Sequence, residues 1–199
     1  MYKVGITGGI GSGKSYVCDM LRERGVAIYN SDIRAKQLMN SSSAIREALI
    51  ANFGEECYTS EGLNREFLAS VVFSDSERLK ALNGIVHPAV IADFNSWSDE
   101  QEGSYVVLES AILFEAGLEG SVDVVVAVMA PESLRIERVM ARDGATREQV
   151  AQRIANQLSD EERSSRAKYA VVNIDVDDLA EDVEQLHRRL SYDSQNRRD

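Results

Sequence analysis

The sequence predicts an α/β protein built on a doubly wound parallel sheet. Three observations carry that expectation. Short runs with strand patterning alternate with stretches of helical periodicity, and such alternation builds a parallel sheet covered by helices. Two of the runs, residues 105–109 and 122–128, are almost unbroken in valine and other apolar residues, as suits strands buried on both faces. A glycine-rich loop closing on Lys-Ser lies between the first strand and the first helix, at the end of the sheet where such folds hold phosphate.

The elements follow in order. Tyr2-Lys3-Val4-Gly5-Ile6-Thr7 reads as the first strand; Val17, Met20 and Leu21 have helical spacing behind the loop, with Gly25 as a stop. Val26-Ala27-Ile28-Tyr29 is a second strand, ending at Asn30-Ser31-Asp32. Ala44, Ile45, Ala48, Leu49 and Phe53 share a helical face, and Phe67, Leu68, Val71 and Val72 mark another. Ser74-Asp75-Ser76-Glu77 reads as a capping box, opening a helix with Leu79, Leu82 and Val86 inward. His87-Pro88 is expected to interrupt that helix, because a residue before proline avoids the α region. Val90, Ile91, Phe94 and Trp97 form a further face, and residues 98–104 a polar loop. After the two buried strands, Pro131 is expected at the first position of a helix. Thr146-Arg147-Glu148-Gln149 and Ser159-Asp160-Glu161-Glu162 are two more capping boxes, the former followed by Val150, Ile154 and Leu158 at helical spacing. Residues 170–174 read as the last strand, Leu179, Val183, Leu186 and Leu190 as the stripe of a final helix, and 191–199 as a frayed polar tail. Residues 33–97 show no strand pattern and read as a helical cap for a substrate.

Composition excludes several classes. The chain has 199 residues, 44% of them hydrophobic, so it can build a core without disulfide staples. Its net charge of -11, from 22 Lys+Arg against 33 Asp+Glu, argues against a non-specific nucleic-acid binder. No apolar run approaches the roughly 18 residues of a membrane span, and no secretory leader pattern opens the chain. Cys18 and Cys57 cannot make a disulfide framework or a zinc site by themselves, so a cytoplasmic protein is expected.

The loop carries the chemistry. Gly8-Gly9-Ile10-Gly11-Ser12-Gly13-Lys14-Ser15 satisfies G-x-x-x-x-G-K-[ST] at every specified position, in the strand–loop–helix setting that the motif needs. Its glycines let the backbone wrap phosphate oxygens, and its amides and the helix N-terminus form an anion nest. Lys14 can reach the β- and γ-phosphates and Ser15 can ligate Mg²⁺. The carboxyl-end rule gathers Asp32 and Glu109 to the same site. Asp32 reads either as the carboxylate that orients an acceptor hydroxyl or as the cap of a helix starting at Ile33. Glu109 reads either as a holder of the Mg²⁺ water shell or as an ordinary acid at a strand end. Arg135, Arg138 and Arg142 fall on one helical face, with Arg153 nearby. They read as cations for a transferring phosphoryl group or as a solvated face paired with Glu132, Glu137 and Asp143; Arg135 is the weakest of the functional candidates. His87 by spacing is a histidine at a helix break.

The ordered set of segments resembles the dephospho-CoA kinase family. The opening loop is similar to that family's phosphate loop. Asn30-Ser31-Asp32 falls at its Asp-x-Asp, Ile85-Val86-His87-Pro88 at I-x-H-P, and residues 108–115 at D-x-P-L-L-F-E. Residues 138–144 resemble the lid R-x-x-x-R-D, Arg153-Ile154-Ala155-Asn156-Gln157 resembles R-I-x-x-Q, and 167–173 resemble A-D-x-V-I-x-N. Asn30, Glu109, Ser110, Ala111 and Lys168 depart from the usual residues. The resemblance implies a P-loop fold with a five-stranded parallel core, a helical CoA-binding insert and a mobile lid. It implies ATP and Mg²⁺, and phosphorylation of the ribose 3′-hydroxyl of dephospho-CoA. On it, Asp32, Lys14 and Arg138 are catalytic. Gly8, Gly9, Ile10, Gly11, Ser12, Gly13, Lys14, Ser15, Tyr16, Arg142 and Asn173 bind ATP, with Arg142 and Asn173 near the adenine. Asp32 and His87 meet the acceptor, and Ser15 and Glu109 the metal.

The expected organisation is one kinase domain over 1–199: a core of about 1–32, 98–134 and 156–199, an insert of about 33–97 and a lid of about 135–155. It needs no nucleic acid or membrane and would be a monomer or weak homo-oligomer. The alternative is another small-molecule P-loop kinase, for a nucleoside monophosphate or a metabolite. A regulatory GTPase is disfavoured, since neither D-x-x-G nor N-K-x-D occurs.

Overall fold

The computed structural model describes residues 1–72 and 75–196. The chain begins with β1 (Tyr2–Thr7), α1 (Lys14–Glu23) and β2 (Ala27–Asn30), then α2 (Ser31–Ser41) and α3 (Ser43–Phe53). A 3₁₀ turn leads to the two-residue strands β3 (Tyr58–Thr59) and β4 (Gly62–Leu63), followed by α4 (Arg65–Val72) and α5 (Ser76–Asp99). Next come β5 (Tyr105–Glu109), β6 (Val124–Met129), α6 (Glu132–Asp143), α7 (Arg147–Ala155), α8 (Asp160–Arg166), β7 (Tyr169–Val172) and α9 (Val176–Gln195). Two compact units result: Met1–Asn30 with Ser98–Asp199, and Ser31–Trp97.

The first unit holds the expected α/β architecture. Its five-stranded sheet has the order β2-β5-β1-β6-β7, and every adjacent pair is parallel. β1 is the central strand, with Val4 in register with Val107 on one side and Val124 on the other. Val4, Ile6, Val107, Val126 and Val128 pack with Val17 and Leu21 of α1 and with Leu179, Val183, Leu186 and Leu190 of α9. All four stripe residues of α9 are buried, as their spacing requires.

Some boundaries move. β6 starts at Val124 rather than 122, and β7 covers Tyr169–Val172 rather than 170–174. Pro131 precedes α6 instead of opening it: its ψ of 138° is extended, and its carbonyl accepts from Arg135 N–H at 3.0 Å. α9 continues to Gln195 and absorbs most of the expected tail, because Asp193 is tied to Lys168 at 2.8 Å and to the Tyr169 hydroxyl at 2.7 Å.

The second unit packs Ile45, Leu49, Phe53, Cys57, Tyr58, Leu68 and Val72 into its own core. α5 is unbroken through Pro88, against the expected interruption. Proline removes a hydrogen bond to the carbonyl four residues back, that of Gly84. Both Pro88 and Gly84 are exposed, so water can serve that carbonyl. Leu79 is exposed rather than inward, since the whole first turn of α5 faces solvent. Ser74 of the proposed capping box lies outside the described residues; Asp75 Oδ1 accepts from the amides of Glu77 and Arg78 at 3.0 and 3.2 Å. Ser98, expected in a loop, is a buried residue of α5. The β3–β4 hairpin was not expected in the insert. Two-residue strands carry no alternation to detect, and only the Gly62 turn, at φ +118°, marks it.

Candidate active site

The phosphate loop leaves the central strand and enters α1 between Thr7 and Lys14. Gly11 and Gly13 have φ of +78° and +86°, the left-handed region that glycine adopts without a Cβ penalty. The surroundings demand glycine as well. A Cβ on Gly9 would enter the Arg135 guanidinium, one on Gly11 would come within 2.5 Å of the Arg135 carbonyl oxygen, and one on Gly13 would strike Asn173 Nδ2. Gly8 is walled by the Val128 carbonyl and by Ser12 Oγ.

The loop carbonyls are occupied by donors. Gly9 O accepts from Ser12 N–H at 3.1 Å, Ile10 O from Arg135 Nε at 3.0 Å, and Ser12 O from Asn173 Nδ2 at 2.9 Å. Ile10 N–H donates to Gln157 Oε1 at 2.9 Å. An anion site must keep carbonyl oxygens off the anion while presenting N–H groups to it. Engaging these three carbonyls with other donors serves that end.

Ser15 and Glu109 are brought together: Ser15 Oγ donates to Glu109 Oε1 at 2.6 Å. Asn30, in register with Glu109 across the β2–β5 pair, donates from Nδ2 to Oε2 at 2.8 Å. Glu109 is 5% exposed, and both its oxygens are thus held by the side chains of a helix start and a strand end. Hydroxyl and carboxylate oxygens in contact are the hard donors that Mg²⁺ takes, with water and phosphate completing its shell. Among the described residues no three His, Cys, Asp or Glu side chains form a metal cluster, so a resident all-protein cage is not what this site offers. Cys18, one turn along α1, is buried; burial, reinforced by the nearby Glu109 charge, pushes its thiol up and keeps it protonated.

The three α6 arginines have separate surroundings. Arg135, 4% exposed, pairs with Asp160 at 2.9 Å and clasps the loop. Arg138 donates to Asn173 through Nη1 to the backbone carbonyl (3.2 Å) and Nη2 to Oδ1 (3.1 Å), and makes no ion pair among the described residues. Arg142 is exposed and doubly bonded to Asp143, which also takes Arg153. These cations hold the Asp143 carboxyl below its ordinary value. Asn173, buried after β7, thereby joins Ser12 to Arg138. Tyr16 is exposed on α1.

Asp32 and His87 belong to the second unit. Asp32 is exposed in the first turn of α2, which starts at Ser31 rather than Ile33, so Asp32 is not a cap residue. His87 is half-buried in α5, and burial pushes its imidazole below the ordinary value of 6.5. The folded state therefore favours the neutral ring. Stability is full above pH 6.5 and falls as pH drops through the lowered folded value, because the unfolded chain takes up the proton first. Melting wild type and His87→Gln across pH 5–7 checks this: the variant should show a shallower acid loss, and parallel curves would refute it.

Sequence reasoning placed Asn30 and Gln157 in family-like segments without a role, and missed the clasping role of Arg135. Asn30 was legible as the strand-end partner of Glu109 only once the strand order was known. Replacing Gly13 by Ala tests the cradle. The substitution adds about 1–2 kcal/mol of backbone strain and forces Asn173 away from Ser12 and Arg138. ADP affinity measured by calorimetry should fall by about tenfold or more. Gly25→Ala is the control, having φ +82° but open space around its Cβ; equal affinities for the two variants would contradict the packing argument.

The family model for dephospho-CoA kinase matches residues 2–178. The dephospho-CoA kinase of Bacteroides fragilis (strain YCH46) is 44% identical over 172 residues, covering 86% of this chain and 84% of the relative. The chain belongs to the dephospho-CoA kinase family. Among solved structures, TT1252 from Thermus thermophilus superposes with a TM-score of 0.83 at 37% identity, over 95% of this chain and 97% of that one. A dephospho-CoA kinase from Campylobacter jejuni has a TM-score of 0.69 over 96% and 97% of the two chains; at 21% identity it supports the fold alone. A P-loop kinase fold and ATP-dependent kinase activity follow from membership of the dephospho-CoA kinase family. No helix among the described residues is long and apolar enough to cross a membrane.

Proposed function

We propose that the chain moves the ATP γ-phosphate to the ribose 3′-hydroxyl of dephospho-CoA, giving ADP and CoA, with the residue roles that follow. The observation that carries the ATP half is the glycine loop whose Ile10 and Ser12 carbonyls are held by Arg135 and Asn173. Gly8, Gly9, Ile10, Gly11, Ser12 and Gly13 form the phosphate cradle, and Lys14 neutralises the β- and γ-phosphates. Tyr16, Arg142 and Asn173 flank the nucleotide. Ser15 and Glu109 would hold Mg²⁺, which when bound neutralises phosphate charge and orients the phosphoryl group. Asp32 accepts the proton of the acceptor hydroxyl and aligns it for in-line attack. Arg138 stabilises the charge that develops on the transferring group, and the lid, about 135–155, excludes water that would otherwise hydrolyse ATP. His87 and the insert, about 33–97, receive dephospho-CoA, with the core over about 1–32, 98–134 and 156–199. The two cysteines are free and buried, which suits a reducing cytoplasm.

The experiment is ADP release with ATP and Mg²⁺, with and without dephospho-CoA, together with the mass of the product. ADP that depends on dephospho-CoA, and a product heavier by one phosphate, is the expected result. ATP binding without any stimulation by dephospho-CoA would assign the acceptor to another small molecule.

A further inference from the structure

A network of charges beside the phosphate loop joins α6, α8 and the connection between β5 and β6. Arg163 is fully buried, with its guanidinium bonded to Asp160 Oδ1 at 3.2 Å and to Glu115 Oε1 at 3.1 Å. The other oxygen of Asp160 takes Arg135 Nη1 at 2.9 Å, and Arg135 Nε reaches the Ile10 carbonyl. Glu115 Oε1 also accepts the Leu158 amide at 3.2 Å, next to Gln157, whose Oε1 holds the Ile10 amide at 2.9 Å. Two cations and two carboxylates thus balance; the Ile10 carbonyl ends on Arg135 of α6 and the Ile10 amide on Gln157, next to Leu158. Asp160, Arg163 and Glu115 have no role in the reaction as described.

We propose that Asp160, Arg163 and Gln157 are positioning residues for nucleotide binding: they hold the phosphate loop in its anion-receiving conformation through Arg135 and the backbone of Ile10. The proposal rests on the loop being the ATP phosphate site. Asp160 is the pivot. Each oxygen serves one arginine, so the Arg135 fork is aimed at Ile10 only while both are bound. An amide in its place leaves one arginine facing an NH₂ donor and turns the guanidinium off the carbonyl. The Ile10 carbonyl then loses the donor that keeps it out of the cradle, and a carbonyl free to turn inward opposes the phosphate. Gln157 acts on the same residue from its amide side, independently of the charges.

The test is calorimetric ADP binding, with kcat and both KM values, for Asp160→Asn and Gln157→Met. Both replacements keep side-chain length and remove the needed bond. Asp123→Asn is the control: Asp123 also accepts a backbone amide, that of Lys3 at 2.7 Å, at a distance from the loop in sequence and on the far end of β1. Asparagine keeps an oxygen for that amide, so this variant should fold and leave ADP affinity unchanged. Asp160→Asn should weaken ADP and raise the KM for ATP by about tenfold, and Gln157→Met by about threefold, the KM for dephospho-CoA staying within twofold. Should Asp160→Asn fail to fold, Gln157→Met, on a half-exposed residue, decides the matter. If wild type binds ADP and folded variants bind it equally well, the positioning role is overturned while the phosphate site stands. If wild type itself binds no ADP, the reading of the loop fails and the proposal with it.

Discussion

Lys14→Ala lowers kcat/KM for ATP by about 10³-fold and weakens ADP binding in the same protein. Lys14 is the first residue of α1 and follows a left-handed Gly13, so its backbone is fixed by the same turn that forms the cradle. Its ammonium is the compact charge that the motif places on the β- and γ-phosphates. A preorganised charge in a water-poor site contributes about 10²–10³ in rate, and the loss of ground-state phosphate binding adds to it. The effect therefore appears in KM and kcat together. Steady-state kinetics and ADP calorimetry check it, with the melting temperature as control for folding. A variant retaining a tenth of the wild-type kcat/KM would contradict the assignment.

Asp32→Asn separates chemistry from binding. The expected kcat is lower by about 10²-fold or more, with ADP affinity within twofold of wild type. The two readings of Asp32 make different demands on this variant. An acid in the first helical turn contributes about 0.3–1 kcal/mol through the helix dipole, which would show in Tm and leave turnover alone. A general base shows the reverse, because asparagine keeps the shape and hydrogen-bonds the acceptor but cannot take its proton. Since α2 begins at Ser31, no capping bond is lost to confuse the comparison. Near-normal turnover in a folded Asp32→Asn protein would remove the base from this residue.

The parallel sheet and the loop were legible because both depend on short-range patterns. Val106 and Val107, and the run from Val124 to Val126, are buried on a sheet covered from both sides, and apolar continuity reports that directly. The two later capping boxes, at Thr146 and Ser159, form as written, since each is closed within four residues. What failed was decided by neighbours that the local string does not contain. Pro88 sits inside α5 because water reaches the bond it removes, and that depends on which side of the helix is exposed. In the site, glycine, lysine and serine announced themselves by motif. Arg135 did not: spacing put it on a face with Arg138 and Arg142, but its partners, Ile10 and Asp160, lie 125 and 25 residues away in sequence. The Asn30–Glu109 contact is equally invisible before strand order is known, since it joins residues 79 apart.

The strand order has a consequence for how the protein loses activity. The phosphate loop hangs from β1, which is paired on both sides, whereas the residues leading to Asp32 hang from β2, an edge strand paired only with β5. Local opening begins where the fewest bonds must break. Peeling of β2 would release the anchor of Asp32 while β1, β5 and β6 still grip one another. β7 is the other edge strand and leads to Asn173, the brace of Ser12, so opening at either edge would loosen one support of the site while β5, β1 and β6 still hold together.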